Sequence, residues 1–170
     1  MKLQVEHAKE HIGKKFPFTF TESAEELGDV IAYPWSHHNI TISGTYWYDG
    51  NNFIVDGTVN TIGDYECTRC LTPVMHKAAI LFKDIYGIVG QRRTDEDEIL
   101  LCDGETIDLT ELIRETLVIN EPSQVLCRED CKGLCTHCGA DLNIAPCSCE
   151  SFEVDPRLAV LRTLLDKKDD

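Results

Sequence analysis

The chain of 170 residues is poor in positive charge. Sixteen lysines and arginines stand against thirty acids, for a net charge of −14. Nucleic-acid affinity comes largely from basic side chains that neutralise phosphates. Broad, non-specific binding to RNA or DNA is therefore not expected. Acidity of this size keeps a protein soluble, and it also suits contact with basic proteins. Long apolar runs are missing as well, and none reaches the length of a transmembrane helix. The opening residues MKLQVEHAKEHIGKKF carry charge throughout and have no apolar region. A secretory leader is therefore not expected, and the setting reads as cytoplasmic, where thiols stay reduced. The chain also lacks a phosphate-cradling glycine loop, a Ser-His-Asp set and a carboxylate pair at a telling spacing, so an enzyme is not expected.

What the chain does have is cysteine. Six of its nine cysteines fall between Cys127 and Cys149. Thiols that merely pack in a core do not bunch in this way. Cys135-Thr-His-Cys138-Gly has the form of a metal-holding turn, with two thiolates that converge on one ion and a glycine that lets backbone N–H groups approach the sulfurs. Cys147 and Cys149 can complete a tetrahedral site, giving a first tetrad of Cys135, Cys138, Cys147 and Cys149 for structural zinc. A second grouping combines Cys127 and Cys131 with Cys135 and Cys138. A gap of 64 residues separates Cys67-Thr-Arg-Cys70 from Cys135, far outside zinc-ribbon spacing. Cys67 and Cys70 can still meet the tail in space, with Cys127 and Cys131 as partners in a second site. Two packed or surface thiols with no ion are the plainer reading of that pair. An odd cysteine count in a reducing compartment argues against a disulfide framework. A thioredoxin-like role for Cys67 and Cys70 expects a βαβ setting, and the surroundings look antiparallel. Cys102, in an apolar stretch, reads as a core thiol. His137 reads as a spacer inside its turn, and His37 and His38 as loop residues. Arg69, Arg92 and Arg93 are too few to make an RNA-binding face.

Periodicity gives the elements around these residues. Residues 1–26 suggest an entry strand and a second short element. Phe16, Phe18 and Phe20 alternate, and Ser23 to Gly28 suits a short helix closed by glycine. Residues 39–89 read as an antiparallel meander with a hairpin at Asp49-Gly50-Asn51-Asn52, a turn at Cys67–Pro73 and a returning strand over 75–86. The expected class is α+β: an antiparallel, partly barrel-like sheet with flanking helices and a small C-terminal cysteine-rich zinc module. Residues 91–106 read in part as a mobile acidic loop. Between Thr94 and Glu115 nine acids face one base, Arg114. A helix over 108–119 is expected, capped by Asp108 with Glu111 three residues on. A last helix should start at Asp155-Pro156. The expected division is 1–122 for the β-rich core and 123–170 for the zinc module and final helix, with the metal replacing a hydrophobic core in the latter.

Three stretches carry a resemblance to a known family. They are Glu66-Cys67-Thr-Arg-Cys70-Leu-Thr-Pro73, the segment from Cys127 through Cys131-Lys-Gly-Leu-Cys135 to Cys138-Gly-Ala-Asp-Leu-Asn143, and Asp155-Pro156-Arg157-Leu158-Ala159-Val160-Leu161. From about Gly57 onward the chain resembles the YceD-type large ribosomal RNA subunit accumulation proteins, in the Gram-positive form that carries the C-terminal cysteines. The resemblance implies a non-enzymatic role in making, processing or stabilising the precursor of large-subunit ribosomal RNA. Its implied partners are ribosomal or processing proteins, the precursor RNA, or both. The net charge favours action through a basic protein, with the acidic 94–115 segment as contact. A direct RNA-binding module and a zinc–thiol redox sensor are the competing readings. Steep salt dependence would mark the first and reversible zinc loss under mild oxidant the second.

Overall fold

A computed structural model describes residues 1–90 and 99–149, together with Arg157. Strand β1 (Lys2–Gln4) and a 3₁₀ turn (Glu6–Glu10) lead into β2 (Phe16–Ser23). A second 3₁₀ turn (Ala24–Leu27) follows, with the Ser23 hydroxyl accepting from the Glu25 N–H and Gly28 closing it at φ 93°. Then come β3 (Asn39–Tyr48), β4 (Asn52–Glu66), β5 (Pro73–Ile88), β6 (Leu100–Cys102), β7 (Thr106–Asp108) and helix α1 (Thr110–Ile119). The β3–β4 turn is built by Asp49, whose carboxylate accepts from the N–H groups of Asn51 and Asn52.

Five strands form one sheet in the order β2-β3-β4-β5-β6, while β1 pairs with β7 in a separate small sheet. The first four run antiparallel, and β6 lies parallel to β5. One face is aromatic and aliphatic: Phe18, Ile40, Ile42, Tyr46, Tyr48, Phe53, Val55, Val59, Phe82 and Tyr86 are buried there with Trp35 and with Leu109, Ile113 and Leu117 of α1. Burying such side chains is the main favourable term in folding.

The partly barrel-like expectation is corrected by this order. β2 and β6 are the two ends of an open sheet and do not pair with each other. The parallel β5–β6 pair also departs from an all-antiparallel reading. Among the described residues α1 is the one α-helix. Asp108 lies just outside it and accepts from the Thr110 N–H, while Glu111 turns to Arg114 instead of back to the helix start. The part of the expected acidic loop that is described, 99–106, holds β6, a tight turn and the first residue of β7. The rest of that loop and, apart from Arg157, the helix expected from Asp155 lie outside the described residues.

β4 outruns its neighbour. Its pairing with β3 ends at Asn60, whereas its pairing with β5 continues to Glu66 opposite Pro73. Residues 61–66 and 73–78 thus form a two-stranded ribbon that carries Cys67 and Cys70 at its tip. The ribbon is braced: the Asp64 N–H donates to the Pro34 carbonyl at 3.0 Å, and the His38 ring meets the Asp64 carboxylate at 2.8 Å. Nearby, Trp35 Nε1 donates to Glu121 at 2.9 Å, and burial followed by the Glu121 carboxylate raises the Tyr65 hydroxyl pKa.

Candidate metal centres

Two turns of the same construction present the cysteine pairs. In the first, the Cys67 N–H donates to the Thr72 carbonyl and the Leu71 N–H donates back to the Cys67 carbonyl. In the second, the Cys135 N–H donates to the Ala140 carbonyl and the Gly139 N–H donates back to the Cys135 carbonyl. The fifth residue is left-handed in both, Leu71 at φ 60° and Gly139 at φ 73°. The local reason is the same each time. A Cys-x-x-Cys segment curled this tightly sends both sulfurs to one side and turns backbone N–H groups toward them.

Among the described residues, two groups of four cysteines bring all their sulfurs within 4.8 Å of one another. One is Cys67, Cys70, Cys127 and Cys131; the other is Cys135, Cys138, Cys147 and Cys149. In the first group Cys67 Sγ lies 3.8 Å from Cys131 Sγ, and Cys70 Sγ lies 3.6 Å from Cys127 Sγ. A tetrahedral ion with metal–sulfur bonds of about 2.3 Å spaces its sulfurs ~3.8 Å apart. A disulfide needs about 2.05 Å. The donor set and the spacing therefore fit a tetrathiolate metal site, and all nine cysteines are free thiols.

The inner group joins distant parts of the chain, with two ligands from the ribbon tip and two from the segment after α1. Cys67, Cys70 and Cys131 are buried, under Val74, Leu126 and Leu134. Arg69 Nη1 donates to the Cys131 carbonyl at 2.8 Å, and the Thr68 N–H donates to the Val125 carbonyl at 2.9 Å. Arg69 is therefore spent on holding the cysteine segment. The outer group is local, closed within 135–149, and Cys138 is exposed.

Electrostatics within each group are uneven. Burial raises the Cys67 thiol, but N–H groups of Cys127, Arg69 and Cys70 outweigh it and hold the pKa at about 6. Cys135 is also held at about 6, chiefly by the N–H groups of Cys138 and His137. Burial and the neighbouring sulfurs push Cys127 up to about 12, and Cys149 is raised to about 12 by Cys138, then by burial. Cys70 is lowered as well, chiefly by the Thr72 hydroxyl, so each group sets at least one lowered thiol beside a raised one. A cation held by either group would be bound by its four cysteines as thiolates, and their protons would be released.

The YceD family, described as large ribosomal RNA subunit accumulation protein YceD, matches residues 55–165. The chain belongs to the YceD family. All eight clustered cysteines fall inside the matched stretch. An uncharacterised protein of Mycobacterium tuberculosis is 33% identical over 120 residues, which is 69% of this chain and 58% of the relative. YlbN of Bacillus subtilis, also uncharacterised, is 29% identical over 105 residues, 61% of each chain. The matched part thus spans less than two thirds of the length of these relatives. No solved structure matches the chain.

Within this YceD-family chain, Cys102 is buried in the main core, where burial raises its thiol pKa. His137 is exposed and stands outside both groups of cysteines. His37 faces Glu25 at 3.8 Å, and His38 serves the ribbon through Asp64. Arg92 and Arg93 lie outside the described residues. Asn143 enters the sequence reading only within the resemblance, with no role of its own. Its Nδ2 donates to Cys131 Sγ at 3.5 Å, and its Oδ1 accepts from the Lys132 N–H and the Arg128 guanidinium, both at 2.8 Å. The signal available in the sequence was a polar side chain inside the Cys138–Cys147 loop.

Proposed function

We propose that this protein is a non-enzymatic cytoplasmic factor that supports accumulation of large-subunit ribosomal RNA. Its two cysteine tetrads each hold a structural zinc ion, and it acts through a basic ribosomal or processing protein. The observation that carries the metal part is the gathering of two tetrads inside the family's own segment, each with its sulfurs within 4.8 Å of one another and the inner one with pairs 3.8 and 3.6 Å apart. Thiolate-only tetrads suit zinc, which has no geometric demand of its own and needs none here for redox chemistry. Family membership supports the ribosomal RNA role.

Charge supports the choice of a protein partner over RNA. Asp103 and Glu105 in the β6–β7 turn, Asp108 at the end of β7, and Glu111 and Glu115 on α1 are exposed. They extend the acidic stretch that begins at Asp95, and a basic partner would be steered toward it. No helix among the described residues is long and apolar enough to cross a membrane. The test is to isolate the protein from cells at its native level, with and without ribonuclease. A basic protein of the large subunit should remain bound after ribonuclease. Loss of every partner with the RNA would replace this reading with direct RNA binding.

A second reading, a redox sensor, is favoured by one observation. Cys127 is exposed with its sulfur 3.6 Å from that of Cys70, so a peroxide could join the pair once the ion leaves. Metal content that is unaffected by mild hydrogen peroxide argues against it.

A further inference from the structure

We propose that the two cysteine tetrads are unequal and linked. The inner ion is held almost permanently and the outer ion exchanges. Asn143 is the positioning residue through which filling the outer tetrad secures the inner one. This rests on the metal reading above.

Access and chain connectivity make the sites unequal. Three of the four inner cysteines are buried, with exposures of 0%, 7% and 2% for Cys67, Cys70 and Cys131. No outer cysteine is buried. A competing ligand must reach the metal to remove it, and at the inner site only the Cys127 side is open. Releasing the inner ion also means parting the ribbon tip from the segment after α1. At the outer site only the 135–149 loop has to open.

The link is a short piece of chain with many contacts. Three residues separate Cys131 of the inner tetrad from Cys135 of the outer one. Among them, Leu134 donates its N–H to the Arg69 carbonyl of the first turn at 3.0 Å. Gly133, at φ 75°, lies so close to that carbonyl that an added Cβ would sit 3.0 Å from it. Asn143 lies between Cys138 and Cys147, inside the loop that an outer ion closes. Asp141 fixes it, accepting from its N–H and its Nδ2, and the Leu142 N–H donates to the Gly133 carbonyl. So placed, Asn143 gives an N–H to Cys131 Sγ and holds the Lys132 N–H. Hydrogen bonds to a ligating sulfur from outside the ligand set stabilise its charged form and are commonly worth 10–100-fold in metal affinity. Opening the outer loop withdraws that bond. Linkage then requires the reverse effect too, so the inner ion strengthens the outer site by the same factor.

The experiment mixes full-length zinc-loaded protein with an excess of isotopically labelled zinc, so that the outer tetrad stays filled, and follows release of the original ions over time by native mass spectrometry. Two phases of one ion each are expected. Cys149→Ser should abolish the fast phase and speed the slow one. Asn143→Ala should speed the slow phase about tenfold in the otherwise native chain. It should have little effect in the Cys149→Ser background, where the loop no longer holds Asn143 in place. Asn143→Asp keeps the acceptor for the Lys132 N–H but brings no amide N–H to the sulfur. It should speed release at least as much as alanine, which a merely structural role would not do. Circular dichroism checks that each variant keeps the sheet. One common phase for both ions, a slow phase indifferent to Asn143, or the same acceleration in both backgrounds overturns the proposal alone. Failure to bind two ions overturns the metal reading with it.

Discussion

At the scale of single residues, the two cysteine turns make a natural experiment. They share their hydrogen bonds, yet one places Gly139 in the left-handed position and the other places Leu71 there. A left-handed L-residue costs roughly 1–2 kcal/mol, whereas glycine is free of that cost but adds entropy to the unfolded chain. Leu71 is 58% exposed, so little burial would be lost with it. Leu71→Gly is expected to leave stability unchanged or raise it by up to about 1 kcal/mol. Gly139→Leu should lower it by about 1–2 kcal/mol. Thermal unfolding of the two metal-loaded variants reads the difference. Gly44 and Gly57 sit opposite each other in β3 and β4 for another reason. A Cβ on Gly57 would meet the Ser43 carbonyl at 2.5 Å and the Phe82 ring at 2.8 Å. Gly57→Ala should therefore destabilise the core by about 1–3 kcal/mol, again visible as a lowered melting temperature. The cysteines were legible at this scale because their spacing is itself the chemistry. Asn143 was not, since the partner that gives it meaning, Cys131, is reached only through the folded loop.

At the scale of elements, the ribbon made by the ends of β4 and β5 positions the inner centre. Its base depends on Trp35 and Glu121 as well as on strand pairing. Trp35 is 1% exposed, and its indole N–H holds the Glu121 carboxylate. Trp35→Phe keeps most of the apolar contact and removes that donor, so a loss of about 1–3 kcal/mol is expected in chemical denaturation. Slower metal uptake at the inner site should accompany it. Strands β2 to β5 were legible because Phe16, Phe18 and Phe20, and then Ile40 and Ile42, alternate at the strand period. The 3₁₀ turn at Ala24–Leu27 was legible from Ser23 and Gly28 for the same kind of local reason. β6 and β7 were not. Each is three residues long, and their partners β5 and β1 are set by tertiary pairing, including the parallel β5–β6 contact. Sheet closure was also misjudged, because a meander pattern looks the same whether or not its end strands meet.

At the scale of the whole molecule, the main core and the metal region are separate. The main core contains Cys102 but none of the eight clustered cysteines. Removing metal with a strong chelator should therefore leave the sheet's circular dichroism in place. Amide exchange in 67–72 and 125–149 should rise, because those segments have little else to hold them. Loss of the whole sheet signal on chelation would contradict this separation. Two bound divalent ions would also change the charge. Four thiolates around one divalent ion carry two negative charges, so two filled sites would take the chain from −14 to about −18. That would strengthen the field offered to the proposed basic partner.

The most direct test of the central claim is native mass spectrometry of the full chain purified without added metal. The account expects two zinc ions per chain and the loss of one in Cys149→Ser. Cys131→Ser should lose the inner ion and weaken the outer one. A chain that carries no zinc, or that binds a single ion shared between the two groups, would contradict it.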